Sequence, residues 1–428
     1  MDVDREAGGR AMLAGLLNAS HLMPLDALPD KVGDFARAAG FTEVRIYVAD
    51  LRYQALHLLT GPNGAPPDTE TDFRVEGTMP GRAYQFGRLM PAAPTIVEGT
   101  DWWVPLVDGT ERLGVLRLCS AYDDPRARED ADRLAALLAL LIASKRSSSD
   151  TLARLMRPEP LNIAAEMAWN LMTPRSYADG RVVISASLEP AYRVSGDVYD
   201  YALDGPLVHL TLFDAMGHDT AAGLCGALAL GACRNSRRRG AGLVAKGQAV
   251  EAALIEQYGH QRYATGILAT LDTRTGLLSW VNRGHQPPIL IRDNRWSSHL
   301  RCPPAHPMGT GLGLSSPVCS EQLQRGDRIV LYTDGITEAR RPGDSEFGLE
   351  RFTEFLIRHH AEGLPVPETL RRLMKAVLDY HHGELQDDAT VLMCEWLGPA
   401  MGNTEPAASL TGLPSAADSI TQPRSNQL

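Results

Sequence analysis

In the second half of this 428-residue chain, aspartates recur at the ends of apolar runs, each beside a glycine or a second aspartate. Four places stand out: Ser195-Gly196-Asp197-Val198-Tyr199-Asp200, Phe213-Asp214-Ala215-Met216-Gly217-His218-Asp219, Tyr332-Thr333-Asp334-Gly335-Ile336-Thr337-Glu338 and Gln386-Asp387-Asp388-Ala389-Thr390-Val391. In 210–214 and 329–334 an apolar strand would carry the carboxylate out of a core, and the glycine that follows lets the backbone turn around whatever the carboxylate holds. Taken singly, a strand-end aspartate is ordinarily a turn or helix-cap residue. Four in one segment point instead to a hard divalent cation, and a carboxylate set without His or Cys favours Mg²⁺ or Mn²⁺ over Zn²⁺. Without such cations the clustered carboxylates would repel one another and raise each other's pKa.

The elements that would position these residues are β-rich runs at 182–188, 207–213, 266–271, 277–281, 288–291, 328–332 and 390–394. Helical spacing lies between them at 221–233, 243–258, 349–359 and 367–381. Strand runs with interspersed helix pairs predict an α+β fold of sheets covered by helices.

In order and spacing, the motifs resemble the SpoIIE/RsbU branch of the metal-dependent protein phosphatases, the PPM family, over about 215 residues from Ser185 to Trp396. The series runs from Gly196 to Asp200, Asp214 to His218, Asn282-Arg283-Gly284-His285-Gln286-Pro287-Pro288, Tyr332 to Glu338 and Asp387 to Thr390. The resemblance implies a layered β-sandwich flanked by helices, two Mn²⁺ or Mg²⁺ ions, and hydrolysis of phosphoserine or phosphothreonine by water that the metals activate. Carried over by position, Asp197, Asp214 and the carbonyl of Ala215 would serve the bridging pair of metals, Asp334 and Asp387 the other metal, with Asp388 behind them. The chain departs from the wider family where Met216 occupies the position of a candidate proton-donating histidine. His218, two residues on, is the candidate catalytic group. Ser195 and Asp219 stand where glycine is usual, and neither removes a ligand. His285 follows a strand and precedes two prolines, which suits a structural or site-wall role. Arg234, Arg237, Arg238 and Arg239 end a helix, where cations suit its dipole and solvent is the expected surrounding. The pairs His359-His360 and His381-His382 lack spaced partner ligands.

Upstream, a helix is predicted over Leu25–Ala39, strands at 44–47 and 55–59, and a hairpin in which 102–107 and 113–118 flank Asp108-Gly109. A hairpin ending in Leu113-Gly114-Val115-Leu116-Arg117-Leu118 before a long helix resembles a GAF domain, which implies a small α+β sensor over 15–125. Residues 126–175 are then a helical linker. From Arg126 to about Arg157 it reads as one helix, with Ser147-Ser148-Ser149 as a break point, and it carries more leucine than a solvated spacer needs. Packing on its own domain is one reading; a parallel coiled coil making a homodimer through this segment, with Leu137 and Leu141 in the seam, is the other. A short helix at 163–172 follows. The phosphatase-like domain takes 176–398, and the Pro-, Ser- and Thr-rich tail 399–428 is expected to be disordered.

Lys+Arg 42 against Asp+Glu 52 gives a net charge of -10, which lacks the basic field that nucleic-acid binding needs. The six cysteines form no C-x-x-C pair and are expected to be reduced, mostly buried thiols. The first twenty residues do not follow the signal-peptide pattern, and the strongest apolar run, 134–143, is about half a bilayer span. A cytoplasmic protein without membrane partners is expected. The composite expectation is a sensor-regulated protein phosphatase whose family suggests a phosphorylated STAS-domain anti-anti-sigma protein as substrate, in a partner-switching pathway controlling sigma factors. The alternatives are a metal-free pseudophosphatase acting as a binding module, or an enzyme acting on a phosphorylated small molecule.

Overall fold

A computed structural model describes residues 2–62, 64, 70–93, 99–190, 192–193, 196–292, 296–338, 346–381, 385 and 387–399. Most of the expected disordered tail, together with Ser195 and His382, therefore lies outside the described residues. The chain divides into two units at Glu159/Pro160.

In the first unit, helices α1 (Asp2–Ser20) and α2 (Leu28–Ala36) precede strands β1 (Phe41–Ala49), β2 (Ala55–Leu59) and β3 (Asp72–Arg74). Helix α3 (Met79–Phe86), strands β4 (Met90–Pro91), β5 (Thr100–Asp108) and β6 (Glu111–Ser120), then helices α4 (Pro125–Lys145) and α5 (Asp150–Met156) complete it. The strands form one antiparallel sheet in the order β3-β2-β1-β6-β5-β4. The hairpin expected at Asp108-Gly109 joins β5 to β6, and Gly109 takes the positive φ of 60° that its turn requires. Met12 and Leu16 of α1, Leu28 and Val32 of α2, and Leu134 and Leu138 of α4 pack on Trp102 and Leu116 of the sheet.

The single helix expected over 126–157 is two helices. Ser149 ends the intervening 3₁₀ turn and caps α5 by accepting from the Leu152 amide at 3.2 Å, so the serine run is a helix start rather than a weak spot in a rod. Leu134 and Leu138 are fully buried and Leu141 nearly so, with Leu137 packed beside them, all within the core of their own unit. That burial corrects the reason for expecting a homodimer through this helix: the leucine surplus covers the unit's own sheet, and Leu140 alone among these leucines is an exposed large side chain. No described helix is long and apolar enough to cross a membrane.

The second unit begins with α6 (Ile163–Leu171), β7 (Ser176–Ala178), β8 (Val182–Glu189), β9 (Val198–Asp204) and β10 (Leu207–Ala215). Helices α7 (Thr220–Arg238) and α8 (Leu243–Tyr258) lead to β11 (Ala264–Asp272), β12 (Leu277–Arg283), β13 (Ile289–Arg292), β14 (Trp296–His299), β15 (Cys319–Gln322) and β16 (Arg328–Tyr332). Then come α9 (Asp334–Thr337), α10 (Leu349–Ala361), α11 (Val366–Tyr380) and β17 (Ala389–Trp396). Two antiparallel sheets result, β15-β12-β11-β10-β9 and β14-β13-β16-β17-β8-β7. The period of two is visible in the packing: Ile184, Ile329, Leu331 and Leu392 join the core shared with Leu210, Leu212 and Leu268 of the other sheet. Their neighbours Val183, Val330 and Met393 face Phe352, Leu356, Leu370 and Leu373 of α10 and α11. Helices α7 and α8 add Cys225, Ala229, Val250 and Leu254 to the core of the first sheet. This is the expected layered α+β arrangement.

One cysteine expectation fails. Cys302 and Cys319 form a disulfide, because the chain between β14 and β15 folds back and brings their Cα atoms to 5.8 Å. The other four cysteines are free and buried.

Candidate metal and phosphate site

Sheet topology brings the aspartates together. Phe213 pairs with Val198, so the end of β10 lies beside the start of β9, placing Asp214 next to Asp197. In the other sheet Tyr332 pairs with Val391, so Asp334, just past β16, lies beside Asp387 and Asp388, just before β17. Asp197 and Asp388 are buried, Asp214 and Asp334 half-buried, and Asp387 exposed.

The two sheets are tied at this edge by hydrogen bonds. Thr333 Oγ1 donates to Asp197 Oδ2 at 2.7 Å and Thr390 Oγ1 donates to the same oxygen at 2.5 Å. Asp388 Oδ2 accepts from the backbone amides of Gly196 at 2.8 Å and Asp197 at 3.2 Å. Glycines allow the backbones to meet: a Cβ at Gly196 would sit 2.4 Å from the Ala215 carbonyl oxygen, and one at Gly335 2.0 Å from that of Asp388. Gly335 is thus required for close approach rather than for an unusual turn. Asp219, where a glycine was usual, has φ −108° and caps α7 by accepting from the Ala222 amide at 2.8 Å, a conformation open to any residue.

Electrostatics mark the same group. Burial, then the nearby charges of Asp214 and Asp388, push the Asp197 carboxyl well above the usual carboxylate range. Burial, then Asp334, Asp387 and Asp388, push Asp214 up to about 7. Burial and Asp387 raise Asp334. Carboxylates that raise one another in this way lack a counter-charge, which oxygen-seeking divalent cations would supply. Among the described residues, however, no three His, Cys, Asp or Glu side chains stand close enough to hold an ion as they are.

His285 links the sheets from within. Its Nδ1 lies 2.8 Å from Thr265 Oγ1 and its Nε2 3.0 Å from the Tyr332 carbonyl oxygen, so the ring donates through Nε2 and accepts the threonine hydroxyl at Nδ1. Burial pushes its pKa to about 4, so it is neutral at pH 7 and already bonded at both nitrogens. His218 stands apart on the exposed loop 216–219, which Arg262 closes by donating to the Met216 carbonyl at 3.2 Å and to Asp219 at 2.9 Å.

The arginine run differs from its expected solvation. Arg234 and Arg237 turn back onto the fully buried Asp200 at 2.6 and 2.5 Å, and Arg234 also donates to the Leu171 carbonyl at 2.6 Å. Only Arg238 and Arg239 are exposed. Asp200 is therefore a structural anion beneath the site. Thr333 and Thr390 were not singled out by sequence reasoning, although both lie within the aspartate motifs.

The description Stage II sporulation protein E (SpoIIE) matches residues 204–397. Protein IcfG of Synechocystis is 25% identical over 135 residues, 30% of this chain and 20% of its own length. Phosphoserine phosphatase RsbU of Bacillus subtilis is 24% identical over 241 residues, covering 54% of this chain and 69% of RsbU. A solved structure of the RsbU and RsbW domains of Rv1364c from Mycobacterium tuberculosis is 25% identical with a TM-score of 0.46, covering 53% of this chain and 65% of that one. The chain thus spans about a fifth of IcfG and just under two thirds of the solved chain. The carboxy-terminal unit, with its aspartates gathered at one edge of two packed sheets, is thus similar to the SpoIIE family over residues 204–397.

Proposed function

We propose that this domain is a metal-dependent protein serine/threonine phosphatase. The observation that carries the reading is the meeting of Asp197, Asp214, Asp334 and Asp387 from four strand ends, with burial and neighbouring carboxylates raising the carboxyls of Asp197, Asp214 and Asp334. Asp197, Asp214 and the Ala215 carbonyl would serve a bridging pair of Mn²⁺ or Mg²⁺ ions, with Asp334 and Asp387 serving the other metal. Bound there, the ions would acidify water and neutralise charge on the phosphoryl oxygens. The chain's own part is to hold these carboxylates: Asp388 grips the amides that carry Asp197, and His285 fixes the Tyr332 carbonyl beside Asp334. His285 is occupied at both nitrogens and is not assigned a proton-transfer role. His218, on its exposed loop, is kept as the candidate catalytic group.

The relatives extend the reading to a phosphoserine-bearing STAS-domain protein in a partner-switching pathway, since one is a phosphoserine phosphatase, RsbU, and another structure joins RsbU and RsbW domains. The first unit, a sheet with α1, α2 and α4 on one face and α3 on the other, is proposed as a GAF-like sensor in a cytoplasmic protein. Phosphate release from a panel of phosphorylated STAS proteins tests this: activity with Mn²⁺ and none after EDTA is expected, and activity that survives thorough chelation would overturn it. A second reading, a metal-free binding module, draws on the carboxylates' not closing around a single point. Mn²⁺ titration by calorimetry separates the two.

A further inference from the structure

Asp197 is the one candidate ligand whose carboxylate is gripped by side chains of the opposite sheet. Asp197 itself precedes β9, whereas Thr333 follows β16 and Thr390 lies in β17. All three are buried, at 2%, 1% and 0% exposure. The hydroxyls are themselves set: the Thr390 amide donates to Thr333 Oγ1 at 2.9 Å, which turns the single Thr333 proton outward, toward Asp197 Oδ2 at 2.7 Å. The Asp388 carbonyl, at 3.3 Å, is the longer alternative. Thr390 Oγ1 completes the pair at 2.5 Å. Both donors fall on one oxygen, Oδ2.

We infer that Thr333 and Thr390 are positioning residues that commit Oδ2 of Asp197 to a cross-sheet latch and leave Oδ1 as the oxygen presented to a divalent cation. The inference rests on the metal-dependent reading above. An unlatched aspartate could rotate about its side chain and offer either oxygen or both, so binding an ion would first cost the ordering that the two hydroxyls supply beforehand. Residues that orient a ligand from behind typically change metal affinity by roughly 10–100-fold when removed. The latch also makes the ligand's position depend on how the two sheets sit together, because neither threonine belongs to the sheet that carries Asp197.

The test is Mn²⁺ affinity of the full chain by calorimetry, alongside thermal unfolding of the metal-free protein. Thr390→Val keeps the shape and removes the donor; it is expected to weaken Mn²⁺ binding roughly 10–100-fold, while Thr390→Ser restores it to within a few-fold. Thr333→Val makes the same test if Thr390→Val does not fold. A role in stability alone would lower the unfolding midpoint and leave affinity where it was. Wild-type protein that binds Mn²⁺ together with valine variants that bind it equally well would overturn the latch and leave the proposed function standing. Wild-type protein that binds no Mn²⁺ would overturn both.

Discussion

Thr390 and Asp197, 193 residues apart in the chain, meet at 2.5 Å across the two sheets of the carboxy-terminal unit. Through this contact one sheet holds the candidate ligand carboxylate of the other, so the candidate site exists only when both sheets are packed. Its acidity, its metal chemistry and its stability are therefore coupled.

The metal-free protein should lose stability as pH rises. Asp214 has a folded-state pKa of about 7 against an ordinary 3.8, so between these values the folded state binds more protons than the unfolded one. The stabilising proton is present at pH 5 and gone by pH 8. The unfolding temperature in EDTA should fall by about 5 °C over that interval, Asp214→Asn should flatten the slope, and Mn²⁺ should reverse the loss at pH 8. A slope unchanged in Asp214→Asn would place the titration elsewhere.

Asp214→Asn and Asp387→Asn should each lower phosphatase turnover by about 100-fold or more while far-UV circular dichroism is unchanged, since each removes a ligand charge and almost no volume. His218→Ala should cost about tenfold, less than the 10²–10⁴ of a general acid. A larger loss, concentrated on substrates with poor leaving groups, would make His218 the acid.

Asp388 acts on the backbone. Asp388→Ala leaves the Gly196 and Asp197 amides without their acceptor, at a cost of about 1–3 kcal/mol for a buried unsatisfied group. Asp388→Asn keeps an acceptor oxygen and should cost less. Urea unfolding of the two variants measures the difference; equal losses would mean that the charge rather than the acceptor matters.

Asp200→Ala should be among the more destabilising single changes in the carboxy-terminal unit. It strands Arg234 and Arg237, which are 16% and 12% exposed, beside an emptied anion pocket, and breaking a buried pair costs about 3–5 kcal/mol. Chemical denaturation reads this directly. A loss under about 1 kcal/mol would show that solvent already screens the pair.

In the first unit, Leu138→Ala should destabilise by about 2–5 kcal/mol, because the side chain is fully buried against its own sheet. Sedimentation should show the same mass for wild type and variant. A variant that instead dissociates a dimer would restore the coiled-coil reading.

Local pattern made much of this fold legible. The apolar runs at 207–213, 328–332 and 390–394 are strands because β-branched and leucine residues in short runs have few other ways to be buried, and α8 begins and ends where its spacing predicts. The four aspartate motifs are visible for the same reason: each is a strand terminus beside a turn, two after the strand and two before it, written within seven residues. What local pattern cannot show is which strand end faces which. β9 is not legible as an apolar run because the acid Asp200 interrupts it between Tyr199 and Tyr201, and only the tertiary structure shows that Asp200 is satisfied by two arginines of α7. The short edge strands β14 and β15 and the Cys302–Cys319 pairing depend on a fold-back over seventeen residues that spacing alone does not encode. Helix α4 shows the same division. Its leucine spacing determined that one face would be covered, but a sheet and a second helix offer the same apolar contact, and only the closing of the chain on itself decided that the sheet covers it.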